Sequence, residues 1–322
     1  MTVNIKDIQK ALIKKNLNEA LNMKEIERFE TQLERHIGNH IIEGIDVVRD
    51  EEKKTGQVFY NPKHDEGVNT DENDNPRKYK VDKIHNIDPN IEVWSIFKRV
   101  KSSDPKMNDG MPLLLAMKDI AWKGFKWTID EENLNKIYGQ VDKIVKRLNK
   151  ARKFDVAITT PTTNHLNQTI LHRVNHLLNL PDKIVTPITK IKNSEAEAFI
   201  EGEKNKIPPE DYKDIMYIFK TKIYYDDPEA DISQDDLKRF PFQIKYINPP
   251  RLRAYFTKMY ELNPTDAENI KMAERVNGKD ILVIDDTITS GSSLSQYVDF
   301  IKIHFTPKSI TVLTLFSPLE NR

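Results

Sequence analysis

The chain has 322 residues, 38% of them hydrophobic and 31% charged, enough for one large α/β domain with an accessory region or for two modest domains. Lys plus Arg equals Asp plus Glu at 50 each, so the formal net charge is zero, and a global basic footprint for nucleic acid is missing, leaving room only for a local patch. Cysteine is absent, which excludes disulfides, thiolate nucleophiles and cysteine-ligated zinc.

Taken in chain order, the first segment reads as helical. Ile5, Ile8 and Leu12, and then Ile26, Phe29, Leu33 and Ile37, recur three and four residues apart between charges. Residues 50–90 change character: EEKKTG, NPKHDEG and NTDENDNPRK read as an exposed loop or linker. Residues 1–90 are therefore expected to form a helical N-terminal extension with a polar linker, and residues 91–322 an α/β domain. MTVNIKDIQK has no signal-peptide apolar run, and no stretch approaches the roughly 18 apolar residues of a membrane span, so a soluble, cytoplasmic protein is expected.

From Ile91 strands and helices alternate. IEVWSIF is a short apolar segment, PLLLAMK a helix with Pro112 in its first turn, and Asn133–Leu148 an amphipathic helix through Leu134, Ile137, Val141, Ile144, Val145 and Leu148. FDVAIT (154–159) is a buried-strand candidate, followed by a helix over 166–178 and a short strand at 183–187. DILVI (280–284) is the most apolar strand, a helix over 292–304 follows it, and SITVLTLF (309–316) closes the pattern. Such alternation predicts a parallel twisted sheet flanked by helices, with right-handed crossovers. Residues 193–277, rich in proline, do not alternate and read as an insertion covering the sheet edge or the site.

The chemistry concentrates in ILVIDDTITSGSSLSQ, residues 281–296. A buried strand ends in two adjacent carboxylates, Asp285 and Asp286. A run of small hydroxyl residues around one glycine then enters a helix. Ligands of open parallel sheets bind beyond the carboxyl ends of the strands, and a helix N-terminus offers free N–H groups and a positive dipole end. Thr289, Ser290, Gly291, Ser292 and Ser293 can wrap a phosphate, and Gly291 permits a backbone angle that a side chain would block. Two neighbouring carboxylates make sense as acceptors from ligand hydroxyls or as holders of magnesium. Neither G-x-G-x-x-G nor a P-loop occurs in the chain.

This segment resembles the 5-phosphoribosyl pyrophosphate (PRPP) signature of type I phosphoribosyltransferases: a hydrophobic strand, an acidic pair, two variable residues, then Thr, Ser, Gly and a small-residue close. The resemblance implies a type I phosphoribosyltransferase-like fold, with Asp285 and Asp286 on the ribose and magnesium. It places Thr287, Thr289, Ser290, Gly291, Ser292 and Ser293 on the 5-phosphate. FDVAITTPTTNHLNQ resembles the pyrophosphate-loop region of the family, nearest to the ComF-like branch, where Asn167 and Gln168 match an Asn-Gln pair opening the next helix. Thr160, Pro161, Thr162 and Thr163 would then line the pyrophosphate site, although this loop lacks the arginines usual there and offers Asn164 and His165 instead. ITKIKN resembles a basic pair after the next strand, bringing Lys190 and Lys192 to the pyrophosphate, and Lys118 matches a further candidate contact.

The implied activity is transfer of ribosyl 5-phosphate from PRPP to a nitrogenous acceptor, a base or an amine, with magnesium as cofactor. The hood that would select the acceptor falls in the insertion, where Phe240, Phe242, Tyr246, Tyr255 and Tyr260 are candidates for stacking on a base or for plain core. Alternatives are a PRPP or nucleotide sensor without turnover, a pyrophosphokinase of the PRPP-synthetase type, for which no ATP site is evident, and an interaction protein working through its N-terminal helices. Homodimers are frequent in such folds, and nothing in the sequence demands one.

Overall fold

The computed structural model describes residues 45–50, 52–60, 91–98, 111–122, 124–162, 165–181, 187–224, 233–262, 265–288 and 291–317. The helical reading of the first 40 residues and the strand read at 183–187 lie outside these, save for Pro187. The chain divides into two compact units, each discontinuous in sequence: Met1–Gly67 with Arg99–Ile137, and Val68–Lys98 with Tyr138–Arg322. Residues 99–137, read with the α/β domain, thus group with the N-terminal segment.

The first unit holds a four-stranded sheet that sequence patterning did not announce. Strands β1 (Ile45–Asp50) and β2 (Thr55–Tyr60) form an antiparallel hairpin where part of a helical extension and linker was expected. Its turn carries Lys54 at φ 51, and the Asp50 carboxylate accepts from Lys53 N at 3.0 Å. The polar density of EEKKTG marks this tight turn rather than a linker.

Helix α1 (Met111–Lys118) lies against the sheet, and β4 (Ala121–Trp122) and β5 (Phe125–Ile129) complete the order β1-β2-β5-β4. Trp127 of β5 lies over Gly56, where an added Cβ would fall within its indole ring. Helix α2 (Glu131–Ala151) starts at Asp130, whose carboxylate accepts from Asn133 N at 2.7 Å, the bond expected of an N-cap.

The second unit is α/β, with a parallel sheet flanked by helices. Its strands are β3 (Glu92–Lys98), β6 (Val156–Thr159), β9 (Asp280–Thr287) and β10 (Ser309–Ser317), in the order β3-β10-β9-β6 with every pairing parallel. Ile281, Leu282, Val283 and Ile284 are fully buried, as a continuous apolar run in a central parallel strand should be. Each such side chain contributes about 1.5–3 kcal/mol by leaving water.

Helices α3 (Leu166–Leu178) and α8 (Ser292–His304) span the expected residues. Leu166, Ile170, Leu171 and Val174 form the buried face of α3; Leu294, Tyr297, Val298 and Ile301 form that of α8. Arg173 of α3 makes a bidentate pair with Asp142 of α2, one arm at 2.7 Å.

Between β6 and β9 run β7 (Ile188–Lys190), α4 (Asn193–Gly202), α5 (Pro209–Ile218), α6 (Gln234–Arg239), β8 (Tyr260–Leu262) and α7 (Asp266–Val276). Pro209 opens α5 at a position where its missing N–H costs nothing. The insertion does more than cover an edge. Phe242 stacks on Phe219 and on Phe256, those two meet at a tilt, all with centroids 5.0–6.2 Å apart, and the three share one core with Val156, Ile158, Ile281 and Val283 of the sheet. No helix of the described residues is long and apolar enough to cross a membrane.

Candidate functional site

Strands β6 and β9 are parallel neighbours, with Thr159 in register with Ile284. Both strands end at the same edge, so Thr160 and Asp285 emerge side by side. The Thr160 hydroxyl donates to Asp285 Oδ1 at 2.7 Å, and the Asn167 amide donates to Thr160 Oγ1 at 3.2 Å and to Asp285 Oδ1 at 3.4 Å. The backbone N–H of Asp286 adds a bond to the same oxygen at 3.0 Å. One oxygen of Asp285 is therefore enclosed by three donors.

Burial, and then the neighbouring charge of Asp286, push the Asp285 carboxyl up to about 6. The Thr160 hydrogen bond, the Lys190 ammonium and the Asp286 N–H act the other way.

Lys190, whose charge acts on this carboxylate, stands in the two-stranded antiparallel sheet β7–β8, in which it is the register partner of Tyr260. Tyr260 is 2% exposed, and its phenol is held well above its ordinary range by burial first and then by the charge of Asp285. Its hydroxyl donates to the Ser293 carbonyl at 3.0 Å, and its ring meets Tyr297 edge-on at 5.2 Å. Tyr297 in turn donates to the Thr159 carbonyl at 2.9 Å.

Beyond Asp286, Thr287 continues β9. Its hydroxyl is buried and has no hydrogen-bond partner among the described residues. Gly291 is the residue before α8, at φ 77 and ψ −6, a left-handed conformation that glycine adopts without cost and other residues resist. Ser292 is buried and Ser293 half-buried in the first turn of α8. A groove of about 500 Å³ runs along α8 from Ser292 through Gln296 and Phe300, walled on its other side by Arg253, Lys258 and Tyr260.

The structure thus gathers Asp285, Asp286, Thr160 and Lys190 in one place. Thr160 is the exception in kind: 5% exposed, it turns its hydroxyl onto Asp285, so it is a support of the carboxylate rather than a free lining group. Pro161 and Thr162 follow it and are half-buried, while Thr163, Asn164, Thr289 and Ser290 lie outside the described residues. Lys192 is exposed at the start of α4, its backbone N–H donating to Glu195 at 2.7 Å. Lys118 ends α1 in the other unit. His165 is exposed and makes no side-chain cap for α3.

The stacking candidates separate. Phe242 and Tyr260 are core, Tyr255 donates its hydroxyl to Asp211 at 2.6 Å, and Phe240 and Tyr246 are exposed. Asn167 had no assigned task in the sequence, and Tyr297 carried no signal at all. A buried amide seven residues past Thr160 is recognisable only once β6 and β9 are seen to be neighbours.

Among the described residues no three His, Cys, Asp or Glu side chains come together as a potential metal cage. The donor set on offer is the Asp285–Asp286 pair. That suits magnesium, which is commonly held by one or two carboxylates and completes its shell with water and ligand phosphates. No protein-family model, no curated protein and no solved structure matches the chain.

Proposed function

We propose that this protein is a magnesium-dependent phosphoribosyltransferase on a type I phosphoribosyltransferase-like fold. It transfers ribosyl 5-phosphate from PRPP to a nitrogenous acceptor and releases pyrophosphate. The observation that carries the reading is the carboxylate pair at the end of β9 followed by the left-handed Gly291 at the head of α8. Such a stretch offers carboxylate acceptors suited to a diol and N–H donors suited to a phosphate, which supports the reading.

In the reaction the bond from ribose C1 to pyrophosphate breaks, its electron pair leaving with the pyrophosphate. A bond from C1 to the acceptor nitrogen forms, and the acceptor's proton passes to solvent. Asp285 and Asp286 hold the ribose hydroxyls, with the oxygen of Asp285 already bound by Thr160 and Asn167 fixing its orientation. Thr287, Thr289, Ser290, Gly291, Ser292 and Ser293 receive the 5-phosphate, and the hydroxyl of Thr287, without a partner among the described residues, gains an acceptor there. Pro161, Thr162, Thr163 and Lys190 are the candidates for binding the pyrophosphate. Magnesium, held by Asp285 and Asp286, supplies charge neutralisation for the leaving group when bound.

Calorimetric titration of PRPP with magnesium into the wild type and into Asp285→Ala/Asp286→Ala tests the site, with pyrophosphate release assayed against a panel of bases and amines. Binding lost in the double variant, with release in the presence of one acceptor, supports the enzyme. Absence of wild-type binding overturns the reading. A second reading, a PRPP sensor without turnover, is favoured by the commitment of Thr160 to Asp285 instead of to the ligand; binding without release would select it.

A further inference from the structure

The insertion reaches the proposed phosphate loop through one side chain. Tyr260, on β8, spans the gap to α8 and donates its hydroxyl to the carbonyl of Ser293. That carbonyl belongs to the first turn of α8, immediately after Gly291 and Ser292. The ring is held from behind by Tyr297, itself tied to the end of β6 through the Thr159 carbonyl, and flanked by Phe300 at 6.3 Å. A phenol that is 2% exposed cannot swing away without leaving its own buried hydroxyl without an acceptor. The pairing of β7 with β8 sets Lys190 opposite Tyr260, so the strand pair that carries this strap also carries a cation whose charge acts on Asp285.

We infer that Tyr260 is a positioning residue for the ribose-phosphate site: its bond to Ser293 sets the geometry of the turn Gly291–Ser293, and through it the insertion controls how tightly a 5-phosphate is held. The ligand half of this inference rests on the proposed function; the mechanical half does not.

Tyr260→Phe keeps the ring and removes only the strap. Two measurements on the full chain decide the matter, with Tyr224→Phe as control, because Tyr224 makes a comparable insertion bond, to Glu197 at 2.8 Å, that does not involve α8. Hydrogen exchange of the unliganded protein is expected to quicken at the amides of Gly291–Ser295 in Tyr260→Phe and to stay at the wild-type rate there in Tyr224→Phe. Calorimetry with PRPP and magnesium is expected to show about threefold to tenfold weaker binding in Tyr260→Phe alone, the factor that corresponds to one ordinary hydrogen bond. Unchanged exchange in Tyr260→Phe, or the same change in both variants, overturns the strap. Faster exchange with wild-type affinity overturns its role in binding. If the wild type binds no PRPP, the functional reading fails, and the exchange measurement still decides whether Tyr260 sets the turn.

Discussion

The hydroxyl of Thr160, one residue beyond β6, donates to Asp285 Oδ1 near the end of β9 at 2.7 Å, across 125 residues of chain. The contact exists because β6 and β9 are parallel neighbours in register, and it turns an isolated carboxylate into a supported one. Its removal should be legible. In Thr160→Val the side chain keeps its shape and loses the donor, so Asp285 should titrate at higher pH than in the wild type, since that bond is the largest influence holding it down. The ionised form loses about 1.5–3 kcal/mol of support. Carboxyl-carbon NMR titration of Asp285 in both proteins measures the shift, and an unmoved midpoint would show that the bond does not form in solution.

Asp285 also gives the fold a pH dependence with a definite sign. Its folded carboxyl lies at about 6, above its ordinary value of 3.8, so the folded state binds the proton more tightly than the unfolded state. The stability tied to this proton is fully present below 3.8 and is lost as pH rises from there through about 6. Asp285→Asn, which cannot ionise but can still accept from Thr160 and Asn167, should lack this loss. Thermal melts of metal-free protein from pH 4 to pH 7, a range of about three units spanning both values, should therefore show the variant gaining on the wild type as pH rises. A constant difference between the two melting curves would refute the assignment.

Gly291 stands at φ 77, where a Cβ crowds the following carbonyl. Gly291→Ala is expected to destabilise the protein by about 1–2 kcal/mol. On the proposed function, PRPP binding should weaken by more than it does in a variant matched for stability, because there the turn itself is the phosphate cradle. Chemical denaturation and calorimetry, run side by side, separate the two effects. Wild-type affinity in a measurably destabilised Gly291→Ala would remove this turn from the site.

Phe242 packs against both Phe219 and Phe256 and is fully buried, which makes it core and removes it from the candidates for stacking on an acceptor. Phe242→Ala should cost about 3–5 kcal/mol, whereas Phe242→Leu should cost less and leave ligand affinity unchanged. A selective loss of acceptor-dependent turnover in a stable Phe242→Leu would return this residue to the site.

The strands and helices of the second unit were legible one by one because each depends on local pattern, whereas their order in the sheet does not. Ile281–Ile284 is apolar without alternation, as a strand buried on both faces must be, and 166–178 and 292–304 repeat at helical spacing. The carboxylates Asp285 and Asp286 and the glycine at 291 were legible for the same reason: strand end, loop and helix start are consecutive in the chain.

The hairpin of β1 and β2 was not legible. Its polar turn looks like a linker, and its strands are recognisable only through pairing with each other and with β5. Nor was the division of labour around Asp285. Thr160, Asn167, Lys190 and Tyr260 come from four separate segments, and no local pattern records that β6 lies beside β9 or that β8 crosses to α8. Local sequence determined which residues are candidates for holding a phosphate and a diol. The tertiary structure decided which carboxylate is buried, which donors support it and what holds the turn, because burial, proton affinity and hydrogen-bond geometry depend on distances between segments that only folding brings together.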